Sequence, residues 1–140
     1  MEIQIASLCD SAADYNGKLC IIGTFDTIMS HTFPFSHPQC SVALRMTFRD
    51  DDEGHFALKI NIVDEDGQPV VPPIEGGLDV KIPDDSSFLT RNGVFNLQHL
   101  KFDRPGFYSV DVVVNGRTVA GIPFRIVQFQ PPIGEPLEEM

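Results

Sequence analysis

The sequence predicts an all-β fold: an immunoglobulin-like β-sandwich of about seven to nine mostly antiparallel strands in a single domain. Three observations lead there. No long segment repeats apolar residues at helical spacing. Eleven glycines and eleven prolines punctuate short apolar runs, the rhythm of strands joined by turns. Two segments alternate apolar and polar residues strictly, which places one strand face on a core and the other in water.

The elements follow in order. Residues 2–9 (EIQIASLC) read as the first strand and SAADYNGK as the turn after it. Residues 18–29 read as one strand, apolar on both faces and therefore central. Residues 30–39 read as a loop, because Pro34 and Pro38 cannot donate ladder hydrogen bonds. In residues 40–49, Val42, Leu44, Met46 and Phe48 share an inward face; Ser41, Ala43, Arg45 and Thr47 take the solvent face. Residues 55–64 repeat the pattern with Phe56, Leu58, Ile60 and Ile62 inward. The acidic DDDEG between these two runs is expected to close a hairpin. Residues 63–73 read as a turn and a broken edge, 77–83 as a short strand, 84–93 as a loop and 94–102 as a strand.

The last strands form a hairpin around Asn115-Gly116, the signature of a two-residue type I′ turn. That turn sets Val112 opposite Val119, with Tyr108, Val110 and Val112 inward. An unbroken ladder then expels Ile122, Phe124 and Ile126 into water, at roughly 1.5–3 kcal/mol each. A β-bulge at Ala120–Gly121 repairs the phase and keeps Val119, Ile122, Phe124 and Ile126 on the core side. Residues 1–129 constitute the domain. Residues 130–140, with Pro131, Pro132, Pro136 and an acidic end, form a Pro-rich tail expected to be loosely draped.

Two resemblances bear on the fold. The stretch LQHLKFDRPGFYSVDV resembles the corner before the penultimate strand of immunoglobulin-like domains, through Leu97, Leu100, Asp103, Gly106 and Tyr108. It implies a buried tyrosine whose hydroxyl bonds back to nearby backbone. Pro105 adds a residue to that pattern, Val110 stands where antibody domains carry cysteine, and the chain has no tryptophan. The resemblance therefore implies architecture, not antibody-type function. Over residues 1–128 the chain also resembles a family of small uncharacterised bacterial proteins. The matching residues are Gly17-Lys18, Ile21-Ile22-Gly23-Thr24-Phe25-Asp26, Phe33-Pro34, His37-Pro38 and Val63-Asp64-Glu65-Asp66-Gly67. This resemblance implies a sandwich and carries no activity, cofactor or site.

Composition narrows the function classes. Twenty acidic and ten basic residues give a net charge of −10; an acidic domain repels phosphate backbones, so no nucleic-acid partner is expected. No apolar run reaches the roughly 18 residues that span a bilayer, so no membrane partner is expected. Glu2 stands where an export signal carries a basic residue. Cys9, Cys20 and Cys40 are odd in number and unpaired in spacing, which suits a reduced, cytoplasmic protein.

Chemistry finds few footholds. His31, His37 and Cys40 are zinc-ligand types, but their spacing matches no finger or knuckle and a fourth ligand is missing. Asp64, Asp66 and Glu75 fall at positions 1, 3 and 12 of an EF-hand count, but Pro69 occupies the position that needs glycine. A looser calcium site joining Asp51 and Asp52 to Asp64 and Asp66 requires both loops at one end of the sandwich; a calcium-dependent ligand-binding domain is the alternative built on it. No nucleophile–base motif stands out. His99, between Leu97 and Leu100, reads as a half-buried packing residue, and Cys9 and Cys20 as inert thiols among apolar neighbours. An enzyme with an unrecognised loop site is the second alternative. The leading expectation is a non-enzymatic interaction or structural module without a cofactor, acting through protein contacts, self-association through an edge strand included. Phe33 and Phe35 are its candidate contact surface, unless they tuck under their loop.

Overall fold

The computed structural model describes residues 1–130; the tail from 131 onward lies outside the described residues. Among the described residues nine strands are present: β1 Glu2–Tyr15, β2 Lys18–Thr24, β3 Thr27–Ser30, β4 Phe35–Arg49, β5 Gly54–Asp64, β6 Ile74–Val80, β7 Phe88–Phe102, β8 Gly106–Val114 and β9 Arg117–Gln128. They form two facing sheets, ordered β2-β1-β4-β7 and β3-β9-β8-β5-β6. All neighbours are antiparallel except β3 and β9. The architecture is the expected β-sandwich.

The core fills the space between the sheets. Val42, Leu44, Met46 and Phe48 of β4 meet Leu58, Ile60 and Ile62 of β5 and Tyr108, Val110 and Val112 of β8, all buried. Rings bridge the two layers: Phe48 lies 4.9 Å from Phe56, and Phe102 lies 5.1 Å from Tyr108. Phe56, at the rim, is half-buried rather than buried.

The expected outer face of β4 is not in water. Ser41, Ala43 and Thr47 are buried and Arg45 is half-buried. The cause is β1, which runs on past Cys9 and pairs with β2 as a hairpin arm. The arm turns at Asn16 (φ 51°) and Gly17 (φ 81°), the left-handed pair of a type I′ turn. Its tip folds back over the sheet: the Gly17 carbonyl accepts bonds from Arg45 Nη1 at 3.1 Å and Asn92 Nδ2 at 3.2 Å.

Residues 18–29 are not one central strand. They split at Phe25-Asp26 into β2, an edge of the four-stranded sheet, and β3, an edge of the other. Gly23 (φ 69°) starts the crossing; the left-handed backbone favours glycine, and a Cβ there would lie 2.6 Å from Asp10 Oδ2 and push that carboxylate aside. DDDEG is not a hairpin either. β4 is flanked by β1 and β7, which leaves β5 no edge in that sheet, and a 3-10 turn at Asp50–Asp52 carries the chain across to the opposite one.

The prolines of residues 30–39 do not bar pairing. β4 begins at Phe35 and pairs with β7 from Phe35↔Phe102 to Arg49↔Phe88, interrupted at Pro38 opposite His99. His99 takes a positive φ of 54° and is exposed, not half-buried. This irregularity resets the side-chain phase, which is how Leu97 and Leu100, three residues apart, are both buried. The predicted loop 84–93 accordingly becomes strand from Phe88 on.

The closing hairpin turns at Asn115 (φ 49°) and Gly116 (φ 81°) with Val114 opposite Arg117. The register shift comes one residue earlier than expected: Val113↔Thr118 is followed by Val112↔Ala120, so Val119 is the extra residue and is exposed. Ala120 takes the inward slot instead. Phe124 and Ile126 are buried and Ile122 packs on the core, as the transfer argument required. The Tyr108 hydroxyl donates to the Arg104 carbonyl at 2.6 Å, closing the corner before β8.

Candidate functional site

The acidic loops lie at opposite ends of β5, an 11-residue strand, hence roughly 30 Å apart at about 3.3 Å per residue. A shared calcium site is therefore not built. Asp52 accepts bonds from the Arg49 amide at 2.9 Å and the Met1 amino group at 2.8 Å, while Asp51 is exposed. Asp64 Oδ1 holds its own turn, accepting from the amides of Asp66 and Gln68, both at 2.9 Å. Arg104 Nη2 ties Asp64 (3.3 Å) to Asp66 (3.2 Å). Among the described residues no group of three or more His, Cys, Asp or Glu side chains is arranged to hold a metal ion.

The other candidates scatter. His31 is exposed against the Phe129 ring, 5.4 Å away. Cys9 and Cys40 are buried; burial, then Cys9 and Asp10, push the Cys40 thiol up to about 11. Cys20 is exposed on edge strand β2, against expectation. Phe33 and Phe35 are half-buried: Phe33 meets Phe35 edge-on at 6.3 Å, and Phe35 stacks on Phe102 at 6.2 Å. They pack against the rim of the core, and Phe35 keeps part of its ring accessible.

What the fold does gather is at β3. On β3, Ile28 and Ser30 point inward and Thr27 and Met29 outward. Met29 pairs with Val127 on β9, and Phe107 on β8 is diagonal to Val127 through its partner Arg125. Such neighbours on one sheet face lie within reach of large side chains. Met29 is 58% exposed, Phe107 64% and Val127 36%, so they form an apolar strip on the outer face, flanked by the exposed Arg125 opposite Phe107.

Behind β3 lies a cleft of about 330 Å³ lined by Asp10, Phe25, Thr27, Ile28, Met29, Phe35 and His37. His37 is flanked by Phe25 at 5.9 Å and Phe35 at 6.2 Å. Its Nε2 is buried without a partner. Burial lowers its pKa, with Asp10 and the Gln39 backbone opposing, so the ring is neutral near pH 7. The cleft therefore combines apolar walls, one exposed carboxylate and one unsatisfied imidazole nitrogen.

A sequence profile of a family of unknown function, DUF6941, matches residues 4–127. The chain belongs to DUF6941. No curated protein matches it. Among solved structures, the DUF6941 chain is similar to a glycosyl hydrolase family 2 (GH2) member from Bacteroides cellulosilyticus, at 11% identity and a TM-score of 0.36. That alignment covers 68% of this chain and 14% of the other. No helix among the described residues is long and apolar enough to cross a membrane.

Asp10, Phe25, Met29, Phe107 and Val127 were not singled out by the sequence as site residues. Phe107 carried a signal: if Tyr108 points inward, its neighbour on a strand must point outward. Met29 carried none, because the split of residues 18–29 between two sheets has no local mark beyond Gly23.

Proposed function

We propose that this DUF6941 chain is a non-enzymatic interaction module that works through protein contacts made at the β3 end. The observation that carries the reading is the strip of Met29, Val127 and Phe107. Three neighbouring apolar side chains on an open sheet face, beside an unpaired edge, are what a contact surface exposes and a purely solvated face does not. The net charge of −10 favours a protein partner over a phosphate backbone. A cytoplasmic setting is consistent with three free thiols, two of them buried.

The test compares the double variant Met29→Ser/Phe107→Ser with Tyr15→Ser on the distant arm, each expressed in the native host. The reading expects the patch variant alone to lose its high-mass complex on size-exclusion chromatography while keeping its melting temperature. A chain that elutes as a lone monomer before mutation, or a complex indifferent to the patch, overturns it.

A further inference from the structure

Resting on that reading, the structure points to the mode of contact and the chemistry of the partner. Among the described residues four strands lie at sheet edges: β2, β7, β3 and β6. Three carry features that discourage pairing. β7 holds Arg91, Lys101 and the positive-φ His99. β6 holds Gly76 and Gly77 and is bracketed by Pro73 and Pro83. β2 begins with Lys18 and ends near Gly23 with its positive φ. The β3 segment Thr27–Ser30 has no charge, glycine or proline.

Its backbone is poised for a further strand. The Asp26 carbonyl accepts from the Arg125 amide at 2.8 Å and the Ser30 carbonyl from the Phe129 amide at 3.1 Å. The alternation of a ladder then turns the N–H and C=O groups of Thr27 and Met29 to the open side. Both residues also line the cleft that holds Asp10 and His37. A strand laid along this edge points alternate side chains to opposite faces. One set falls beside the Met29–Val127–Phe107 strip. The other enters the cleft beside Ile28, Phe25 and Phe35. There the polar groups are a carboxylate and an imidazole nitrogen lacking a partner, inside a molecule of net charge −10.

We infer that β3 accepts an extended segment of a partner protein by strand addition, and that the segment alternates apolar residues with lysine or arginine, whose cationic head reaches Asp10. Backbone bonds to Thr27 and Met29 supply sequence-independent attraction, and the cleft selects the side chain.

The test uses two short synthetic peptides, one alternating valine with lysine and one alternating valine with glutamate. Binding to the isotope-labelled chain is followed by amide shifts. The lysine peptide is expected to move the signals of Thr27, Ile28, Met29 and His37 and to bind about five- to tenfold tighter than the glutamate peptide. Asp10→Asn should shrink that preference. Met29→Pro, which removes one edge N–H at a site where proline is tolerated, should abolish binding; Asp10→Asn serves if that variant misfolds. Equal binding of the two peptides, binding of neither, shifts confined to β7 or the β1–β2 arm, or a self-dimer across β3 that excludes the peptide each overturns the inference. If neither peptide binds but the complex in the host still depends on Met29 and Phe107, strand addition fails and the interaction reading stands. If the lysine peptide binds but that complex ignores the patch, the interaction reading fails by itself.

Discussion

Single residues already separate the inert from the responsive. Burial raises the thiol pKa of both Cys9 and Cys40, whereas Cys20 stands in solvent. Since the thiolate is the reactive form, iodoacetamide should label Cys20 in the native protein, and Cys9 and Cys40 only in denaturant; mass spectrometry of the digest decides. His37 provides a pH signature. Its folded pKa is lowered below the ordinary value near 6.5, so the unfolded chain takes up the proton first as pH falls. Stability should therefore drop between pH 7 and pH 5, and His37→Gln should flatten that slope in urea titrations across the range. The Tyr108 hydroxyl bond at the corner should contribute about 0.5–1.5 kcal/mol, read as the loss in Tyr108→Phe. That bond was legible in the sequence because a corner lock is local: Asp103, Gly106 and Tyr108 stand within one short stretch. His37 was not, since Phe35 is its neighbour on β4 but Asp10 and Phe25 arrive from β1 and from the crossing between β2 and β3.

At the scale of elements, period-two alternation held wherever one face met the core and failed where the outer face was also covered. β5 shows the first case, and Leu58→Ala should cost about 2–5 kcal/mol in denaturant unfolding. β4 shows the second, because polar Ser41 and Thr47 gave no sign that the arm would fold over their face. The β8–β9 hairpin lies between. Its turn was written in Asn115-Gly116, and the need for a bulge in the apolar phase of Ile122, Phe124 and Ile126. Its position was not, because both Val119 and Ala120 can fill the slot opposite Val112. Deleting Val119 should thus remove the bulge, leave those three residues inside and change stability by less than about 1 kcal/mol. A collapse of cooperative thermal unfolding would show that the bulge is structurally required.

For the whole molecule, the two-layer class followed from short alternating strands, but the assignment of strands to sheets did not. Local pattern says that β4 and β5 each bury one face; it does not say whether they lie side by side or across the core from each other. The same ambiguity hid β3, and with it the outer strip and the cleft, which exist only because the chain crosses between sheets at Phe25-Asp26. The central claim is that this crossing creates the contact surface of the DUF6941 chain. The most direct measurement is the amide spectrum of the isotope-labelled chain during titration with unlabelled extract of its native host. The account predicts selective broadening or shifts at Thr27, Ile28, Met29, Phe107 and Val127, absent in Met29→Ser/Phe107→Ser. Changes centred on β7, on the β1–β2 arm or on the acidic turns, or a spectrum unaltered by the extract, would contradict it.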